Sequence, residues 1–229
     1  MSLTPAEWSA LGLSLRVASI SVVVSLPFAL GLAWLLSRKQ FPGRLLLESL
    51  MFLPLTLPPV VTGYALLVLF GRHGWIGEAL AQIGIVFAFR WTGAVLAAAV
   101  MGFPLLVLSI RVAFDQVDQR LERAAETLGA SAWRRFVTIV VPLSRRGIIA
   151  GCVLAFARAF GEFGATITFV SSIPGETRTL PIAIYELMSL SDGDGGVQRL
   201  TVVALIVAFA ATAVAAAMGG ALWGRRRRD

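Results

Sequence analysis

Five apolar runs, each long enough to cross the roughly 30 Å hydrocarbon core of a bilayer, leave this chain little freedom to be a soluble protein. They cover residues 11–37, 50–70, 91–110, 147–173 and 200–223. Hydrocarbon offers no partner to a backbone N–H or C=O, so runs of this length must satisfy their own backbones as helices. The expected fold class is an all-α membrane protein with five transmembrane helices, built as one domain over residues 1–229. Composition agrees: 57% of residues are hydrophobic and 14% charged, where soluble domains sit near about half and a quarter.

The net charge of +7 could suggest a nucleic-acid partner, but that needs a basic face on a soluble fold. Here 19 of the 20 basic residues are arginines, clustered at the ends of the apolar runs. With the N-terminus outside, the first inner loop holds Arg38, Lys39 and Arg44, the 111–146 segment holds seven basic residues, and the tail holds Arg225 to Arg228. The outer loops hold only Arg72, Arg90, Arg178 and Arg199, a bias of fourteen against four that sets the expected orientation: N-terminus periplasmic, C-terminus cytoplasmic. The first ten residues carry no Lys or Arg, so a cleavable signal peptide with a basic leading region is not expected. The lone Cys152 sits in an apolar run and cannot form an intrachain disulfide; the single His73 falls in the loop Gly71-Arg72-His73-Gly74. No metal site is expected.

Between the third and fourth runs lies a polar island, residues 115–146. Leu121, Ala124, Ala125 and Leu128 recur at i, i+3, i+4 and i+7 and give one apolar helix stripe, with Arg120, Glu122, Arg123 and Glu126 opposite. Asp118 suits the N-cap and Gly129 a left-handed stop. A second helix is expected to begin at Ser131 and end by Pro142. Such a cytoplasmic helix–turn–helix, with a narrow apolar stripe, suits insertion into a groove on another protein.

Within the runs a few residues stand out. Arg158 and Glu162 are four apart on an expected single helix and can pair; charges at membrane depth cost about 2.5–3.5 kcal/mol, so they should face protein or water. They either line a polar pathway or fix helix packing as a buried ion pair. Thr166 and Thr168 could offer hydroxyls to an oxyanion or bond back to their own helix. Pro54, Pro58 and Pro59 should bend or break the second run, and irregular backbone at that depth belongs against protein or a water-filled cavity. That favours a pathway-lining role for Pro58 and Pro59, with a kink for packing as the alternative. Ala211, Ala215 and Gly219 recur every four residues and allow close helix contact, within the chain or across a dimer seam. Arg16 and Glu48, near run ends, are expected to snorkel to the interface. Residues 179–190 should form a helix on the outer surface or dipping into the membrane, and residues 192–196 a turn.

Absences narrow the function. A phosphate loop needs a Gly-Lys-Ser/Thr step, and the only lysine, Lys39, stands between Arg38 and Gln40. Any ATP would therefore be bound by a partner, with no cofactor in this chain. No serine–histidine–acid set is available either. An integral membrane enzyme, such as an acyl or phosphate transferase, would need a clustered acid–base set that only Arg158–Glu162 approaches.

The island also carries a resemblance. Ala124-Ala125, then Gly129, then Ile139-Val140-Val141-Pro142 is similar to the cytoplasmic loop of ABC importer permeases, which docks on an ATP-hydrolysing subunit. The usual opening glutamate is Arg123 here, with Glu122 one place earlier, and the closing Leu-Pro reads Val141-Pro142. Further stretches resemble the bacterial molybdate permeases of that group: FLPLTLPPVVTGYALLV at 52–68, GAVLAAAVMGFPL at 93–105 and LAFARAFGEFGATITFVSSIPGETRTLP at 154–181. The resemblance implies a permease fold of the type I ABC importer kind, a bacterial inner-membrane location, and a homodimer embedded in membrane lipid. It further implies two ATP-binding cassette subunits and a periplasmic molybdate-binding protein, with tungstate sharing the route and no nucleic acid. Coupling to the ATPase would fall on Glu122, Arg123, Ala124, Ala125, Gly129, Ile139 and Pro142; the pathway would draw on Arg158, Glu162, Thr166, Pro58 and Pro59. A sulfate or thiosulfate permease is the nearest alternative.

Overall fold

A computed structural model describes residues 3–190 and 193–223. Among them the secondary structure is helical throughout, in eleven α-helices and one π-helical turn. Helix α1, Pro5–Arg38, opens on a capping box in which Thr4 and Glu7 each satisfy the other's backbone N–H. It runs unbroken through Pro27, whose ring lies on the exposed side. Its buried face is a ladder of small residues, Ala10, Ser14, Ala18, Ser21, Ser25, Ala29 and Ala33, which lets the next long helix approach closely where dispersion, not water, drives association. That helix is α5, Trp91–Asp115, which carries Ala94, Ala97, Ala98, Met101, Leu106, Val107, Ile110 and Phe114 into the core. It lies between α1 and α8, Val141–Phe160, at the centre of the bundle.

Four helices are long and apolar enough to cross a membrane, five if a bent pair counts as one span. The pair is α2, Arg44–Thr56, and α3, Pro59–Phe70, bent by 115° at Leu57–Pro58. The expected break is present, because Pro58 and Pro59 remove two successive donors. A short helix follows, α4 at Trp75–Gln82, beyond the turn that holds His73.

The fourth apolar run departs from expectation. It is not one span over 147–173: α8 stops at Phe160, three residues intervene, and α9, Gly164–Val170, packs instead on α3. Apolar residues flank Gly161-Glu162-Phe163 on both sides, so average hydropathy does not find the break. Outside it, α10, Leu180–Met188, begins with Pro181 in its first turn and folds back on α1, where the Ser14 hydroxyl accepts the Leu180 N–H at 2.6 Å. The last span is α11, Asp194–Trp223, packed on α8 and α10. Ala215 of its small-residue stripe is buried; of the turn expected at 192–196, residues 194–196 already belong to α11, while Asp192, the packing around Gly219 and the tail arginines Arg225–Arg228 lie outside the described residues.

Contacts fix the relative direction of the helices. Arg199 at the start of α11 pairs with Glu7 at the start of α1, at 2.7 Å. Arg38 at the end of α1 reaches the Phe114 carbonyl at the end of α5, at 2.9 Å. So α1, α5 and α11 run one way and α8 the other, with the polar island at the end where α1 and α5 finish.

Candidate functional site

The island folds as an elbow. Helix α6, Gln119–Thr127, is capped by Asp118, which accepts the Arg120 N–H at 2.9 Å. Gly129 ends it at φ +83°, a left-handed conformation that lets Ala130 N–H return to the Ala125 carbonyl at 3.0 Å. Helix α7, Ala132–Arg135, starts at Ser131, whose hydroxyl accepts the Arg134 N–H at 3.3 Å. A pair between Arg135 and Glu126 at 2.5 Å closes the angle. These local features match the sequence reading. One does not: the second helix does not end by Pro142. It passes through a π-helical turn, Phe136–Val140, directly into α8, with Pro142 in the first turn of that helix. The wider turn takes up the missing donor and the ring that would otherwise clash with the carbonyl four residues back.

The elbow has a wet face and a rooted one. Nothing in α6 is buried, and Leu121, Leu128 and Trp133 are 49%, 88% and 72% exposed. Arg123 and Ala124 are exposed with them, while Ala125 and Ile139 are half-buried. A leucine and a tryptophan in water beside a polar helix form a surface shaped for another protein. On the other face Phe136 is buried between Trp34 of α1 at 5.4 Å, Phe114 of α5 at 6.0 Å and Trp133 at 5.6 Å. Glu122 also turns inward, to Arg38 at 2.8 Å, with side-chain exposures of only 13% and 10%. The two neighbours therefore part: Arg123 faces out and Glu122 joins the elbow to α1.

The second candidate region is the junction of the broken helices. There α3 and α9 cross in close contact: a Cβ on Gly63 would lie 2.5 Å from the Ala165 carbonyl oxygen, and one on Gly164 would lie 2.8 Å from Pro59 Cβ. Pro59 thus meets the segment that follows Glu162, with Pro58 one residue before it at the bend. That glutamate does not share a helix with Arg158. It lies in the break after α8, where one oxygen pairs with Arg158 and the other accepts the Ala165 N–H at 2.8 Å. Both oxygens are committed to holding the break, and Glu162 is nearly fully buried. Thr166 is buried beside it, whereas Thr168 bonds back to the Gly164 carbonyl at 2.8 Å. The sequence reading missed Thr62, a buried α3 residue whose hydroxyl has no partner; the unbonded state of a hydroxyl leaves no trace in sequence.

Two residues expected to snorkel also have partners within the bundle. Arg16 places its guanidinium 3.9 Å from the centre of the Trp91 ring, a cation–π contact. Glu48 accepts from Arg44 at 2.9 Å and from Arg111 at 3.0 Å. Among the described residues no group of three or more His, Cys, Asp or Glu side chains could hold a metal ion.

A bundle of long apolar helices, one pair sharply broken, with an unburied polar elbow at one end, makes this an all-α membrane protein with a surface left open outside the bundle. The chain belongs to the family described as the binding-protein-dependent transport system inner membrane component, whose model matches residues 25–228. It is 59% identical over 209 residues to the molybdenum transport system permease protein ModB of Escherichia coli K12, covering 91% of both proteins. To the ModB protein of Haemophilus influenzae it is 54% identical over 202 residues, 88% of each. Its fold matches a chain of a solved bacterial ABC transporter for the acidic polysaccharide alginate with a TM-score of 0.69, covering 99% of this chain and 82% of that one at 15% identity.

Proposed function

We propose that this chain is the membrane permease of an ATP-driven importer that carries molybdate, with tungstate on the same route, from periplasm to cytoplasm. The carrying observation is the 59% identity to a molybdenum permease over 91% of both chains. In this reading two copies form the pathway, two ATP-binding cassette subunits supply the energy, and a periplasmic binding protein delivers the anion. The N-terminus and α10 face the periplasm; the elbow and the C-terminus face the cytoplasm, in keeping with the arginine bias. The exposed Leu128 and Trp133 support the elbow as the docking surface, with Arg123, Ala124 and Gly129 on its outer side. Exposed apolar side chains of α2 and α3, such as Leu50, Val60 and Tyr64, are available to the second copy and to lipid.

The pathway holds few fixed charges. A route through low dielectric that gripped a dianion tightly would not release it, so strong recognition is better placed in a separate receptor. Pro58, Pro59 and Thr166 supply the irregular, partly polar junction. Arg158 and Glu162 maintain its shape. The test is reconstitution with the ATPase subunit and the binding protein in proteoliposomes: molybdate should stimulate ATP hydrolysis and enter the vesicles, and tungstate should compete where sulfate does not. Equal competition by sulfate would replace the assigned substrate; no stimulated hydrolysis would remove the transport reading itself.

A further inference from the structure

The two elements that must move in concert under this reading are both sparsely buried. Helix α6 buries no residue, and α2, which leads into the broken span, buries only Met51. Apolar packing therefore gives each a weak hold. What ties both to the long helices is a continuous run of charged and hydroxyl groups. Glu48 of α2 receives Arg111 of α5 at 3.0 Å. One turn on, Arg111 lies 3.9 Å from Asp115, which accepts the hydroxyl of Ser37 at the end of α1. Arg38 donates to that same hydroxyl at 2.7 Å, to the Phe114 carbonyl at 2.9 Å and to Glu122 of α6 at 2.9 Å.

We propose that Glu48, Arg111, Asp115, Ser37, Arg38 and Glu122 form a polar relay that passes movement of the elbow to α2 and so to the break at Pro58. Three observations carry it. The run joins four helices through hydrogen bonds and ion pairs, its longest step being the 3.9 Å approach of Arg111 to Asp115 within α5. Its interior members bridge: Arg111 lies between acids on α2 and α5, and Arg38 binds groups on α1, α5 and α6. The Arg38–Glu122 and Arg111–Glu48 side chains are at most 24% exposed, so they are screened less than surface pairs worth roughly 0–1 kcal/mol. Hydrogen bonds are directional and have discrete partners, so a displaced α6 must either carry Arg38 with it or break the link.

The inference rests on the proposed coupling to an ATPase, and the test separates the two. In proteoliposomes holding the full transporter, Glu122→Gln and Glu48→Gln are compared singly and together, reading ATP hydrolysis and molybdate uptake in the same vesicles. Each single variant should keep hydrolysing ATP while molybdate carried per ATP falls at least about fivefold. The double variant should be little worse than either one, because a relay cut once is already cut. Losses that multiply, or uptake and hydrolysis that fall in proportion, would reduce these contacts to independent struts and overturn the proposal. Should Glu122→Gln fail to assemble, Ser37→Ala interrupts the same run with a smaller change and is read by the same ratio. A wild-type complex without molybdate-stimulated hydrolysis refutes the functional reading instead.

Discussion

The elbow and the broken-helix junction both depend on glycine, for opposite reasons. At Gly129 the backbone conformation demands it, at φ +83°, while the space around a Cβ is empty. At Gly63 the space demands it: α3 approaches α9 so closely that any side chain meets backbone. The elbow is a piece of local chain geometry held out in water and rooted by one aromatic and a few ion pairs. The junction is a tertiary contact that exists only when residues a hundred positions apart are already in place. Damage at the first should impair coupling in a protein that still inserts. Damage at the second should prevent the protein from reaching its folded form.

The sharpest way to break this comparison is Gly63→Leu. With the Ala165 carbonyl oxygen 2.5 Å from the new Cβ, no rotamer relieves the contact, and the cost exceeds the usual 1–3 kcal/mol of overpacking. Loss of monodisperse protein in detergent is expected; normal yield and thermal stability would mean the crossing is not close. Next comes Phe136→Ala, which empties the aromatic root of the elbow for about 3–5 kcal/mol. Thermal unfolding should shift down markedly, with ATPase binding lost as a consequence. Gly129→Val should cost only about 1–2 kcal/mol, the penalty of a left-handed L-residue. Insertion stays normal while uptake falls, and unchanged uptake would count against the elbow as the docking element. The smallest effect belongs to Thr62→Val. Removing a buried hydroxyl with no partner should leave stability level or raise it by roughly 1 kcal/mol, whereas a clear loss by thermal unfolding would reveal a partner for that hydroxyl.

Much of the elbow was legible because its signals are local. Asp118, Gly129 and Ser131 act within four residues of themselves, and each does what its chemistry suggests. The broken second span was legible for the same reason, since adjacent prolines cannot continue a helix. Pro142 misled: a proline's usual effect was overridden by a π-helical turn that only the packing of Phe136 makes worthwhile. Hydropathy also misled around 161–163, because apolar residues flank on both sides a break set by Glu162 and its two partners. The links between Ser37 and Asp115 and between Arg38 and Glu122 join positions 78 and 84 residues apart. Nothing in the neighbouring sequence announces either one, nor the pairing of Glu48 with Arg111 across 63 positions.

The unbroken passage from α7 through the π-helical turn into α8 makes residues 132–160 a single rod of 29 residues, about 43 Å long at 1.5 Å per residue. A crank of that length needs little rotation. Swung through about 5° at the cytoplasmic end, it would sweep its tip by nearly 4 Å on the same helical rise. The tip is Phe160, next to the break that Glu162 holds. A small tilt at the elbow would arrive beside Glu162 as a step of several ångströms, multiplied by the length of the lever alone.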